Sequence, residues 1–458
     1  MLLSARPAHR SFQGICGSLS RRLAIMQFST DSKQFPANKQ KFIPHTGVYP
    51  QGFSAGGSHC GVKKNGKPDL AVLFSDRPTT TSAVFTTNQF CAAPVQFDRQ
   101  VINQARQANK QVVRAVIVNS GCANAVTGKQ GLLDAQEMAS YGDQMVSKLD
   151  GKPYTGGTLV MSTGVIGQVL PMDKISQGIK KIEIGSEHDM WMRAAIAHMT
   201  TDTFPKLLSR EITISQSKIR MAGITKGAGM IHPNMATLLG TICTDAAISQ
   251  SLLDDALAYA VARSFNAISI DGDMSTNDTI AVIANGAASL SVIEDSQSSE
   301  YMEFREALTS FMAELAGLVV RDGEGATKFI TVEVDGAKSF ADAKKVASTI
   351  ATSSLVKTAF YGQDANWGRI LCAVGYSGVP LDTNKVNMAM HPGDGSSPLV
   401  LVKGGEPQLP VDEDRASEIL KQEDVLVRVE LGLGPESARM YTCDLSHDYV
   451  SINTNYRS

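Results

Sequence analysis

Beyond about residue 40, hydrophobic and polar positions follow two alternating periods. VVRAVIVNSG (112–121) and TLVMSTGVIG (158–167) are short, β-branched apolar runs closing on Gly-containing turns, the pattern of buried strands. Between them, LLDAQEMASYGDQMVSKL (132–149) has helical spacing. A second helix is expected from Ser251, where Leu252, Leu253, Ala256, Leu257, Ala260 and Val261 form one apolar stripe and Ser251 with Asp254 resembles a capping box. A third spans about Glu303 to Val320, with Phe304, Leu308, Phe311, Met312 and Leu315 on one face and a stop near Gly323. Late strands are expected at 329–337, 425–434 and 438–446, with a loop-rich tract at 391–407. No internal repeat interrupts this order. The pattern is that of an α/β (α+β) chain with helices packed on sheets.

Composition narrows the function classes. The 458 residues suffice for a large core, and 43% hydrophobic with 19% charged residues is ordinary for a globular protein. A net charge of -2 offers no basic face for nucleic acid. No apolar run reaches membrane-spanning length, so no membrane partner is expected. The seven cysteines are scattered, without a C-x-x-C pair, which argues against a disulfide framework or a cysteine zinc site. The eight histidines show no ligand spacing, so no metal is expected. Residues 1–30 differ from the rest: they carry Arg6, Arg10, Arg21 and Arg22, several serines and no acid, the composition of a mitochondrial transit peptide.

Candidate chemistry centres on Lys226-Gly-Ala-Gly-Met-Ile-His-Pro-Asn-Met-Ala236-Thr237, a Gly-rich stretch followed by LLGTIC. By turn chemistry it is a loop leading into a strand or helix. A threonine hydroxyl is a poor nucleophile without a base. Cutting the bond before Thr237 would free an α-amine on the same residue, with a pKa of about 7.7–8, able to take the hydroxyl proton. A small residue before a hydroxyl residue also suits an N-to-O acyl shift.

The stretch KGAGMIHPNMATLLGTICTDA resembles the processing site of the ornithine acetyltransferase (ArgJ) family, the bifunctional glutamate N-acetyltransferases. VNSGCANA (118–125), MSTGVIG (161–167), TTDTFPK (200–206), SIDGDMSTNDT (269–279), RDGEGATKF (321–329), GQDANWGRI (362–370) and NTNYRS (453–458) match in the family's order. The resemblance implies a sandwich of sheets flanked by helices, similar to but distinct from classical N-terminal-nucleophile hydrolases. It implies cleavage between Ala236 and Thr237, giving chains 31–236 and 237–458 that stay together, in an α2β2 assembly in the mitochondrial matrix. Thr237 would be the nucleophile and Thr163 with Gly164 the oxyanion pair. Thr200, Lys226, Thr237, Glu324, Asn453 and Ser458 would contact substrate, with TTDT leaving the register open among Thr200, Thr201 and Thr203. The expected reaction moves acetyl from N2-acetylornithine to glutamate through acetyl-Thr237, with acetyl-CoA as a further donor and no bound cofactor. The tail departs from the family's Ala-Asp-Tyr-Arg-Thr: Asn455 replaces an acid, while Ser458 keeps a hydroxyl.

Other patterns carry less weight. Gly52-Phe-Ser54-Ala-Gly56 fits a nucleophile elbow but lacks a preceding strand. His232, beside the cleavage site, reads as a loop-shaping residue. Two other functions are kept open: an N-terminal-nucleophile amidohydrolase or aminopeptidase passing the acyl group from Thr237 to water, and a catalytically dead binding protein.

Overall fold

The structure is a computed structural model and describes residues 30–232 and 238–455. All but the last residue of the expected transit segment (1–30), the Ala236–Thr237 bond and Ser458 lie outside the described residues.

Two sheets organise the chain. The first contains β1 (Phe53–Ser58), β2 (Leu70–Phe85), β3 (Val113–Cys122), β4 (Thr158–Val165), β5 (Lys206–Ile214), β6 (Ser217–Lys226), β7 (Leu239–Thr244) and β9 (Thr279–Ala284). Its order is β4-β3-β2-β9-β7-β6-β5, with β1 on β2. The second holds β8 (Ile268–Ser269), β10 (Phe329–Ala337), β11 (Asn387–Pro392), β12 (Leu399–Lys403), β13 (Glu406–Pro407), β14 (Asp424–Glu430) and β15 (Glu436–Cys443), in the order β13-β12-β11-β14-β10-β15-β8. Both are mixed: β3–β4, β7–β9 and β10–β14 are parallel pairs among antiparallel ones.

Helices α1 (Ala93–Gln107), α2 (Gly128–Asp150), α3 (Met172–Lys181) and α4 (His188–His198) serve the first sheet. Period-two alternation decides which helix meets which face. Leu70 and Val72 of β2 turn toward a core with Ala135, Met138 and Ile175 of α2 and α3. Ala71 and Leu73 turn the other way, onto Trp191, Ala194 and Ala195 of α4. Helices α5 (Gln250–Arg263) and α6 (Ser299–Arg321) share a core with Ile242, Ile280 and Val282 of the first sheet and with Ile268 and Cys443 of the second, joining the two. Helices α7 (Phe340–Ala351), α8 (Ser354–Tyr361), α9 (Trp367–Gly375) and α10 (Glu413–Lys421) pack onto the second sheet. α11 (His447–Asn455) follows its last long strand.

The expected helices and strands are present, with corrections at their edges. α5 begins after Ser249, not at Ser251, because the apolar stripe from Leu252 already needs a formed first turn to bury it. α6 starts earlier than Glu303, where Ser298 accepts the Tyr301 N–H as a true cap. The tract 391–407 is not simply loop: it contains β12 and β13, whose short runs are hidden among Gly, Ser and Pro. Strand β14 ends at Glu430, before the expected 434, because the backbone leaves the sheet at Gly432 with φ 64°. Ser54 lies inside β1, opposite Phe74, so it is not on an elbow.

Candidate active site

The Gly-rich stretch joins two neighbouring strands. β6 ends at Lys226, β7 begins at Leu239, and these two residues face each other directly. Chain leaving the sheet at Lys226 therefore returns at the same point, which is where residue 237 connects to Leu238. The start of β9 stands beside β7, Leu239 facing Thr279. Asp271 holds the first part of the stretch by accepting the Met230 and Ile231 N–H groups at 2.6 and 2.9 Å. His232 Nδ1 sits 3.2 Å from Ser269 Oγ, in keeping with a loop-shaping role.

The end of β4 supplies Thr163 and Gly164. Here the β3–β4 register slips, Cys122 facing both Thr163 and Val165. Gly164 has φ 129°, and a Cβ there would lie 2.4 Å from the Gly121 carbonyl carbon, so only glycine fits. Asn277, from the segment before β9, ties this bulge down by donating from Nδ2 to the carbonyls of Ala123 (2.6 Å) and Ser162 (2.9 Å).

A cavity of about 150 Å³ opens at this end of the first sheet. Thr163, Gly164, Thr200, Lys226, Glu324 and Asn453 all line it, with Asp278 among the other lining residues. These six expected residues come from five separate chain segments. The TTDT register narrows: Thr200 and Thr201 both line the cavity, whereas the Thr203 hydroxyl is committed to Asp322. Asn453 on α11 donates to Glu324 Oε2 at 2.8 Å. Glu324 is fixed at its backbone, its N–H meeting the Ala228 carbonyl at 2.7 Å. Gly229 makes room for it, since a Cβ there would fall 2.5 Å from Glu324 Oε2. A larger hollow of about 620 Å³ lies elsewhere, between residues 30–33 and the start of α4, and gathers none of the six.

A buried charge cluster that sequence reasoning missed ties together segments that line the cavity. Lys206 Nζ, wholly buried, is 2.5 Å from Asp202 Oδ1 and 2.6 Å from Asp322 Oδ2. Asp202 also accepts the N–H groups of Gly227 (2.7 Å) and Thr200 (2.8 Å), and Asp322 accepts that of Thr203 (2.9 Å). One ammonium thus pins the segments carrying Thr200, Lys226 and Glu324. Asp202, Lys206 and Asp322 all sit inside stretches that match the family, but no spacing rule links residues 116 positions apart.

The electrostatics follow from burial and these pairings. Burial lowers the Lys226 pKa below the ordinary lysine range, opposed by the Asp202, Asp278 and Glu324 carboxylates. Burial alone would raise Asp202, yet Lys206 and Lys226 pull it below the usual carboxylate range. Burial likewise opposes the charge on Lys206, but Asp202 and Asp322 raise its pKa. Burial holds Asp278 well above its usual range, with Lys226 and the Leu238 N–H acting against it. Among the described residues no group of three or more His, Cys, Asp or Glu is placed to hold a metal, and no helix is long and apolar enough to cross a membrane.

Residues 54–458 match the model of the ArgJ family. The chain belongs to the ArgJ family. It is 55% identical over 428 residues to the arginine biosynthesis bifunctional protein ArgJ, mitochondrial, of Schizosaccharomyces pombe, covering 92% of this chain and 95% of that one. The protein of the same name from Blastomyces gilchristii is 53% identical over 442 residues, covering 92% and 93%. Among solved structures, the ornithine acetyltransferase complexed with ornithine from Mycobacterium tuberculosis is 33% identical over 42% of this chain and 96% of that chain, with a TM-score of 0.35. The likeness to mitochondrial ArgJ proteins places this family member in the mitochondrion.

Proposed function

We propose that this ArgJ-family chain is an autoprocessing acetyltransferase of arginine biosynthesis, acting in the mitochondrial matrix with Thr237 as its nucleophile. The carrying observation is the single cavity that gathers Thr163, Gly164, Thr200, Lys226, Glu324 and Asn453 where the β6–β7 connection re-enters the sheet. Fungal relatives named for arginine biosynthesis support the pathway.

Cleavage between Ala236 and Thr237 frees the α-amine that serves as base. The Thr237 hydroxyl attacks the acetyl carbonyl of N2-acetylornithine and passes its proton to that amine. Thr163 and Gly164 donate to the oxyanion. As the tetrahedral species collapses, the C–N bond breaks, the proton goes to the leaving nitrogen, and ornithine departs. Glutamate's amine then attacks acetyl-Thr237, giving N-acetylglutamate and restoring the hydroxyl. Glu324, oriented by Asn453, suits a substrate ammonium. Ser458 would contact substrate, and acetyl-CoA would load the same threonine. Because β7 and β9 follow the cut and β2 and β6 precede it, a cleaved pair remains hydrogen-bonded through one sheet. Two such pairs would form the α2β2 assembly.

The test is a denaturing gel with N-terminal sequencing of the smaller fragment, expected to begin at Thr237. A single uncut band with full activity contradicts autoprocessing. Acetate release without N-acetylglutamate would mean a hydrolase instead.

A further inference from the structure

Lys226 is an unusual ammonium to find beside an oxyanion donor. It is 9% exposed and forms no ion pair among the described residues. Its Nζ has one hydrogen-bond partner there, Thr163 Oγ1, at 3.4 Å. An ammonium has three protons and no lone pair, so it can only donate. Thr163 Oγ1 must therefore accept, and the hydroxyl's own proton is directed elsewhere. Thr163 lines the cavity, which is where a reacting carbonyl oxygen would sit. A neutral lysine amine has a lone pair and could accept the Thr163 O–H instead, turning that proton away from the cavity.

We propose that Lys226 is a positioning residue that fixes the Thr163 hydroxyl as a donor toward the oxyanion, so that loss of the Lys226 proton switches off acetyl transfer. This rests on the reading of Thr163 as an oxyanion donor and goes beyond substrate contact by Lys226.

The surroundings are built for such a role. The Lys226 backbone is locked by pairing with Leu239, and the next N–H, that of Gly227, is held by Asp202. The side chain's origin is thus rigid. Facing its ammonium are three carboxylates, Asp202, Asp278 and Glu324, and the cation Lys206. Lys63 and His198 also lie within its field; burial pushes Lys63 down to about 8 and His198 down to about 4. Lys63 spends its protons on the Pro68 and Met199 carbonyls at 2.7 and 2.6 Å, so it does not compete for Thr163. Burial lowers the Lys226 pKa below the ordinary lysine value, with Asp202, Asp278 and Glu324 acting against it.

The experiment measures single-turnover ornithine release from N2-acetylornithine by the matured protein, from about pH 7 to 10. This half-reaction excludes glutamate and its own titrating amine. The wild-type rate constant is expected to fall on the alkaline side. Lys226→Met and Thr163→Val should each lower it by about 10²–10³-fold, the usual cost of one oxyanion donor. The double variant should cost no more than about threefold beyond either single, because both remove one device. Thr163→Val should lose the alkaline fall, and Thr163→Ser should keep it. Multiplying costs, or an alkaline fall that persists unmoved in Thr163→Val, overturns the proposal and leaves Lys226 acting on substrate alone. Where a variant blocks maturation, the rate of chain cleavage on a gel gives the same comparison, since that step also passes through an oxyanion; thermal unfolding confirms that each variant is folded. Failure of the wider functional reading looks different: wild-type protein would release no ornithine at any pH.

Discussion

Lys206→Met replaces the buried ammonium by a neutral side chain of similar length and leaves Asp202 and Asp322 facing each other. Lys206 is wholly buried and holds both carboxylates, at 2.5 and 2.6 Å. Removing one partner of a buried pair costs about 3–5 kcal/mol, because the remaining charge stays uncompensated. Here one cation serves two carboxylates, which argues for the upper end. The backbone N–H groups from Thr200, Gly227 and Thr203 remain and prevent a larger loss. In the wild type, Asp202 is depressed, so its contribution is present above the unfolded carboxylate pKa and is lost as pH falls through the folded value. Lys206 is raised, so its contribution is present below the unfolded lysine pKa and is lost as pH rises through the folded value. The pair therefore stabilises across about pH 4 to 10. In the variant, burial and mutual repulsion raise the carboxyl pKa values, and protonating one relieves the strain. Urea unfolding should show a deficit of about 4–5 kcal/mol near neutral pH that shrinks by more than about 1 kcal/mol at about pH 5. A deficit below about 1 kcal/mol, or one that acid does not reduce, refutes the reasoning.

Four further outcomes are expected. Gly229→Ala places a Cβ 2.5 Å from the Glu324 carboxylate, so KM for N2-acetylornithine should rise about tenfold with kcat little changed in steady-state assays. Gly164→Ala forces a strained φ and a backbone clash with Gly121; it should lower acetyl transfer by about 10²-fold or more, read by single-turnover kinetics. His198, buried with Nδ1 2.7 Å from the Ala194 carbonyl, is pushed down to about 4, so its contribution is present above about pH 6.5 and is lost as pH falls through about 4. His198→Met should remove roughly 3 kcal/mol of that acid-side loss in urea titrations. Thr237→Ala should give an uncleaved, inactive chain on a gel, since one hydroxyl serves both maturation and catalysis.

Strands β3 and β4 were legible because burial on both faces makes each a short continuous apolar run, and helix α2 because its apolar residues keep helical spacing. Thr163, Gly164, Lys226, Glu324 and Asn453 were legible only through family motifs, and their meeting in one cavity depends on sheet order, which periodicity does not encode. The Thr200 register could not be read because three threonines are chemically alike; Asp322 removes Thr203 from the choice, leaving Thr200 and Thr201. Asn277 and Asp278 lay within a matching stretch, but a buried amide bridging two carbonyls and a buried carboxyl leave no sequence signature of their own. Short β12 and β13 were missed because turn residues surround them.

The central claim is that Thr237 carries the acetyl group. Its most direct test is the intact mass of the 237–458 chain after incubation with N2-acetylornithine in the absence of glutamate. The account predicts one added acetyl group per chain, located at Thr237 by fragmentation and lost as N-acetylglutamate when glutamate is added. An unmodified chain that still makes N-acetylglutamate, or an acetyl group on another residue, would contradict it.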